Sequence, residues 1–160
     1  MLLKLAGGAC LLLSCLGGCA ELWRRDRLRL CRIDGYLHLL AFIRGEVDGY
    51  LTPQTRIFEK CPPQILIDCG HRAAAPLRGL GELIGEGECR GELDGECLRA
   101  LRELAASFGR SWRGEEVRLC DRTIAALTAR RAALVSELPA RRRASISAVL
   151  CAAAAVIVFI

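Results

Sequence analysis

Apolar and polar positions along this chain are segregated into two nearly charge-free ends and a heavily charged middle. From Leu5 to Ala20 the sequence LAGGACLLLSCLGGCA carries no charge, and only Lys4 interrupts the residues before it. Met1 to Ala20 supplies the roughly 20 apolar residues that a transmembrane helix needs, with Lys4 snorkelling to the near interface. Gly7, Gly8, Gly17 and Gly18 are small residues of the kind that let two membrane helices approach closely. At the other end, Ala144 to Ile160 (ASISAVLCAAAAVIVFI) is uncharged and apolar on every face, which a small domain could not bury. The pattern predicts an anchor over residues 1–23, a hydrophilic domain over 24–143 and a C-terminal transmembrane helix over 144–160.

Within the middle, three stretches carry helical periodicity. In the first, about Arg24 to Val47, Ile33, Tyr36, Leu40, Ile43 and Val47 recur every three or four residues and form one apolar stripe. Thr52-Pro53 then stops that helix or starts the next, because Thr caps well and Pro is tolerated at a first helical position. A short helix is expected from Pro53 to Lys60, closed by Cys61-Pro62-Pro63, whereas Ile65-Leu66-Ile67 is too brief to assign. Gly79 to Gly95 is rich in Gly and Glu and reads as a flexible acidic loop. Leu98, Leu101, Ala105 and Phe108 define the next amphipathic helix, ending at Gly109. The longest pattern runs through Val117, Cys120, Ile124, Leu127, Leu134 and Leu138 at near-heptad spacing, with Glu115 and Glu116 in the first turn, where the helix dipole favours carboxylates. Pro139 is expected to kink or break it. The expected fold is all-α: a helical bundle domain flanked by an N-terminal and a C-terminal transmembrane helix.

Composition supports that choice. Aromatic residues make up only 5% of the chain, so Leu, Ile, Val and Ala must fill the core, as in helical bundles. The net charge is +5, nearly all of it from Arg. A nucleic-acid binder would show a continuous basic face with interleaved aromatics. Here Arg alternates with Glu, so no nucleic-acid partner is expected. The densest basic clusters, Arg24, Arg25, Arg27, Arg29 and Arg32, then Arg141, Arg142 and Arg143, lie just inside the apolar ends. The positive-inside rule therefore places the middle domain in the cytoplasm. Ten cysteines raise the question of disulfides, but none forms a Cys-x-x-Cys pair and neither His38 nor His71 has ligand spacing. Reduced, structural thiols in a cytosolic compartment are expected.

A competing reading starts from Lys4, a short apolar core and Leu16-Gly17-Gly18-Cys19. These resemble a lipoprotein signal peptide, with Cys19 lipidated ahead of a secreted, disulfide-bonded helical domain. The arginine block that follows resists export and argues against it. Chemistry is otherwise sparse. Ser107 and Ser111 lack an accompanying His and Asp set, Glu46, Glu115 and Asp121 are spread along helices, and no Gly-Lys-Ser/Thr follows the glycines. No catalytic, cofactor-binding or metal-binding residue is assigned, and no enzyme, cofactor or small-molecule substrate is expected.

Four features resemble the stage III sporulation protein AB family of endospore-forming bacteria. The opening Met1-Leu2-Leu3-Lys4-Leu5 precedes a Gly-bearing span, and Glu46-Val47 with Thr52-Pro53 is similar to the family's Glu-Ile-x-x-x-x-Thr-Pro. Phe108-Gly109-Arg110-Ser111 resembles its Leu-Gly-Lys/Arg-Ser/Thr turn, and a short apolar span closes the chain. The sequence departs from the family at Gly49-Tyr50, where the order is reversed, through Cys61 to Gly95, and at Pro139. The resemblance implies a subunit of the secretion-like sporulation channel complex, in the mother-cell membrane around the forespore after engulfment. It also implies a soluble domain like the helical F-domain of type II secretion platform proteins. The implied partners are membrane lipid and the other proteins of that complex, including a cytoplasmic secretion-type ATPase.

Overall fold

A computed structural model describes residues 2–50, 54–72, 77, 79–89, 91–110 and 112–159, and all of their side chains except those at 2–6, 9, 11, 12, 50, 54, 55 and 156–159. The described chain is all-helical. Six α-helices follow in order: α1 (Leu2–Gly45), α2 (Gln54–Lys60), α3 (Pro63–Cys69), α4 (Leu80–Cys89), α5 (Gly95–Ser107) and α6 (Arg113–Phe159). A π-helical turn over Glu46–Tyr50 continues from α1. The residues group into two compact units, one of Met1–Arg27 with Leu134–Ile160 and one of Leu28–Ala133.

The second unit is a helical bundle built on the stripes read from sequence. Ile33, Tyr36, Leu40, Ile43 and Val47 are all buried, joined by Leu39. Also buried are Ile57, Phe58 and Cys61 from α2 and its end, Leu101, Leu104 and Phe108 from α5 and its end, and Cys120 and Leu127 from α6. Gly35 marks the tightest helix approach: a Cβ there would stand 2.6 Å from the backbone carbon of Asp68. Pro63 opens α3, which settles the undecided Ile65-Leu66-Ile67 as helix, and Gly70, at φ 105°, closes it in the left-handed conformation. Asp94 caps α5 by accepting a 3.0 Å hydrogen bond from the Cys97 N–H. Phe108 ends that helix, Gly109 turns the chain at φ 79°, and its N–H donates to Glu116 Oε1 at 2.6 Å.

Two expectations are corrected. Gly79–Gly95 is not a loop throughout, since α4 occupies Leu80–Cys89. Leu80, Leu83, Ile84 and Gly87 fall on one helical face and are buried. Burying three large side chains outweighs glycine's penalty of about 1 kcal/mol per residue. Gly87 belongs to that face because the Tyr36 hydroxyl, which donates to Leu83 O at 3.2 Å, would lie 3.3 Å from a Cβ. Nor does Pro139 break the chain, as α6 runs through it. Pro139 and Val135, four residues before it, are exposed, so water can satisfy the carbonyl that proline leaves without a donor.

The first unit holds the two apolar ends. Among the described residues no helix is long and apolar enough to cross a membrane. The expected spans 1–23 and 144–160 both include residues or side chains outside that description.

Candidate functional site

In the first unit, three contacts join α1 to α6. Cys19 Sγ donates to Ser145 O at 3.7 Å, the Arg142 guanidinium carbon lies 5.9 Å from the Trp23 ring centroid, and Arg141 reaches Asp26 at 3.6 Å. Numbering rises on one helix as it falls on the other, so the pair is antiparallel. Two basic clusters far apart in sequence thereby meet at one end of the pair. The apolar residues continue from that end in both helices.

The belt they form is partly compensated from within. Glu21 pairs with Arg24 at 2.8 Å and Arg25 at 3.1 Å, and Arg141 pairs with Glu137 at 2.9 Å, all at helical spacings of three or four. These pairs are exposed, so solvent screening leaves each with little net stabilisation. Six arginines (24, 25, 27, 141, 142 and 143) face three carboxylates (21, 26 and 137), so the belt stays positive. Arg27, Arg142 and Arg143 are exposed, and among the described residues none of them pairs with a carboxylate. Arg29 belongs to the second unit and is half-buried.

Next to the belt lies a cavity of about 490 Å³ lined by Leu16, Cys19, Ala20 and Trp23 of α1 and by Ser145, Ile146, Val149 and Leu150 of α6. Its lining is almost wholly apolar. Around it Leu13, Leu16, Leu22, Ile146 and Leu150 are each at least 49% exposed, a concentration of bare apolar surface. Cys19, the residue that a lipoprotein would carry as its lipidation site, lies inside α1 against the Ser145 carbonyl.

The second unit carries a polar cluster that sequence reasoning missed. Arg32 donates to Glu92 Oε2 at 2.5 Å and to the carbonyls of Ile67 at 3.0 Å and Asp68 at 2.8 Å. Its side chain is 11% exposed and that of Glu92 14%. The guanidinium thus closes the C-terminal end of α3, where the dipole favours a cation. Arg130 pairs with Asp94, and Arg131 with Asp34. Burial raises the Asp94 carboxyl, but Arg130 and the Cys97 N–H together hold it below the usual aspartate range.

Of the family-like motif residues, Glu46 pairs with Lys60 at 3.3 Å and Gly109 forms the turn before α6. Thr52, Pro53 and Ser111 lie outside the described residues. Among the described residues no three or more His, Cys, Asp or Glu gather as a metal site would require. The hydroxyls of Ser14, Ser107, Thr123 and Ser145 each donate to the carbonyl four residues earlier. A second cavity, about 360 Å³ between α5 and α6, is walled by opposite charges including Glu96, Glu103, Arg99 and Arg122. Its Cys97 thiol is pushed up to about 12 by burial and by Asp94, which makes it a poor nucleophile.

No family model, curated protein or solved structure matches this chain. What the geometry itself defines is an all-helical chain with an apolar helix pair ringed at one end by arginine, and a charged helical bundle.

Proposed function

We propose that this protein is a non-enzymatic, membrane-anchored platform subunit whose helical bundle faces the cytoplasm. Residues 1–23 and 144–160 serve as its two transmembrane helices. The observation that carries the reading is the convergence of Arg24, Arg25 and Arg27 with Arg141, Arg142 and Arg143 at one end of an antiparallel apolar helix pair. Two helices that cross a bilayer together have both inner ends on the same side, which is where positive residues are retained. Trp23 sits at the same level, as interfacial tryptophans do. The bundle then offers charged helix faces to a cytoplasmic partner.

The resemblance to the stage III sporulation protein AB family gives this platform a setting. It assembles with the other proteins of the sporulation channel complex in the mother-cell membrane around the forespore. There it couples a secretion-type ATPase to the channel, without nucleic acid, cofactor or small-molecule substrate.

Exposed Cys31 and Cys89 of the second unit provide the test. A membrane-impermeant thiol reagent added to intact cells is expected to leave both unmodified and to reach them after lysis. Labelling in intact cells places the bundle outside and supports the Cys19 lipoprotein instead. In a spore-forming host, a deletion strain is expected to arrest after engulfment, and normal spores would remove the sporulation assignment.

A further inference from the structure

The apolar cavity and the basic belt share their helix faces. On α1 the lining residues Leu16, Cys19, Ala20 and Trp23 share one helical face, and the next members of that face are Asp26, which Arg141 engages at 3.6 Å, and Arg27. On α6 Ser145, Ile146 and Val149 share a face with Arg142, three, four and seven positions earlier. Because the helices are antiparallel, Arg27 and Arg142 both stand at the same end of the cavity, about one turn, or ~6 Å, beyond its apolar wall. The Trp23 ring, itself part of that wall, holds the Arg142 guanidinium at 5.9 Å, within cation–π range. No carboxylate pairs with either arginine among the described residues, whereas Arg24, Arg25 and Arg141 are engaged by Glu21, Glu137 and Asp26.

We infer that this cavity is a binding site for one anionic phospholipid. An acyl chain lies along Leu16, Ala20, Val149 and Leu150, and the headgroup phosphate is clamped between Arg27 and Arg142. The inference rests on the membrane-anchored reading above. Charge complementarity selects the occupant. An apolar cavity alone would accept any acyl chain or apolar helix, but two uncompensated guanidiniums at its mouth need an anion, and guanidinium forks match phosphate oxygens. A phospholipid joins both chemistries in one molecule, with the phosphate next to the hydrocarbon boundary. Zwitterionic lipid carries a competing ammonium and is the weaker ligand.

The two tryptophans of the chain permit a direct test. Trp112, which is 88% exposed in the second unit, is replaced in a W112F background, leaving Trp23 as sole reporter. The full-length protein is reconstituted in phosphatidylcholine vesicles containing a minor fraction of either phosphatidylglycerol or phosphatidylcholine brominated on its acyl chains. Trp23 should be quenched preferentially by the brominated anionic lipid. Its enrichment beside Trp23 should be roughly fivefold or more, the scale set by one arginine close to an anionic surface. R27Q/R142Q should abolish the preference. R143Q, which removes a charge from a different face, should retain most of it.

Equal quenching by the two lipids in the parent protein overturns the site and leaves the anchors standing. Absence of quenching by either lipid removes the membrane reading itself, and the site with it. Quenching that falls in both lipids as protein density rises means that a second copy covers the cavity, which also overturns the inference. Loss of the preference on adding soluble glycerol phosphate would make it a small-anion site rather than a lipid site.

Discussion

Replacing Arg32 by Met keeps the length of the side chain and its apolar stem while removing the guanidinium. In the native bundle that group satisfies Glu92 Oε2 at 2.5 Å and the carbonyls of Ile67 and Asp68, with only 11% of the side chain exposed. Hydrogen bonds from a charged donor contribute about 1.5–3 kcal/mol each. Two backbone acceptors at the end of α3 would lose theirs. Glu92, 14% exposed, would keep a charge with its closest cation gone. Breaking a buried pair from one side costs about 3–5 kcal/mol, and that range is expected here. Small domains are stable by only about 5–15 kcal/mol, so the variant should sit near its unfolding threshold. The assay is urea titration of the full-length protein in detergent, followed by pulsed labelling of the buried thiols Cys69 and Cys97, which report on the second unit alone. The double variant R32M/E92L should recover much of the loss, because replacing both partners of a buried pair by apolar groups is often neutral. A cost below about 1 kcal/mol for R32M, or strict additivity with E92L, would refute the assignment of Arg32 as the cation that closes α3.

Three further outcomes follow from the same geometry. G35A should destabilise the bundle by about 1–3 kcal/mol in urea titration, since its Cβ would meet Asp68 backbone at 2.6 Å and two helices must separate to admit it. Asp94 has a folded-state acidity held below its ordinary value of 3.8, so its contribution is complete above that pH and is lost as pH falls further; D94N should flatten the acid limb of the stability curve. The Cys61 and Cys120 thiols are pushed up to about 11 and Cys97 to about 12 by burial, against an ordinary 9.0. Unfolded chains would ionise these thiols first. Stability should therefore be full below pH 9 and decline as pH rises towards these values, and the native protein should react with maleimide at Cys31 and Cys89 long before these three.

The all-helical character was readable because packing in this bundle is periodic. Ile33, Tyr36, Leu40, Ile43 and Val47 needed no partner to be recognised as one face, and all five are buried. Cys120 and Leu127 on α6 were readable in the same way. Helix α4 was hidden by composition. Its apolar face is written in Leu80, Leu83 and Ile84, but Gly79, Gly81, Gly85 and Gly87 lower local propensity enough to look like a loop. The tertiary partner Tyr36, whose hydroxyl reaches Leu83 O and would stand 3.3 Å from a Cβ at Gly87, favours a glycine there. Pro139 misled in the opposite direction, because the long helix continues on both sides of it and water can satisfy the group that proline leaves without a donor at this exposed turn. The Arg32 cluster was out of reach. Glu92 lies sixty positions away and its α3 acceptors are backbone carbonyls, so no local spacing encodes the contact.

The basic belt depends on both kinds of information. On the membrane-anchored reading proposed above, each arginine cluster alone specifies an orientation for the apolar stretch beside it, and the two are independent in sequence. An antiparallel pair couples them, since neither helix can reverse without moving its partner's charges to the wrong side. Had one cluster lain at the far end of its helix, the pairing of Cys19 with Ser145 and Trp23 with Arg142 would oppose the topology rule. Instead packing and charge favour the same orientation, and their contributions reinforce one another. That agreement extends to Arg27 and Arg142, which are left without carboxylate partners among the described residues at the mouth of the apolar cavity. Trp23 holds the Arg142 guanidinium without neutralising its charge, and on the lipid-site proposal above an anion from the bilayer supplies the missing counter-charge.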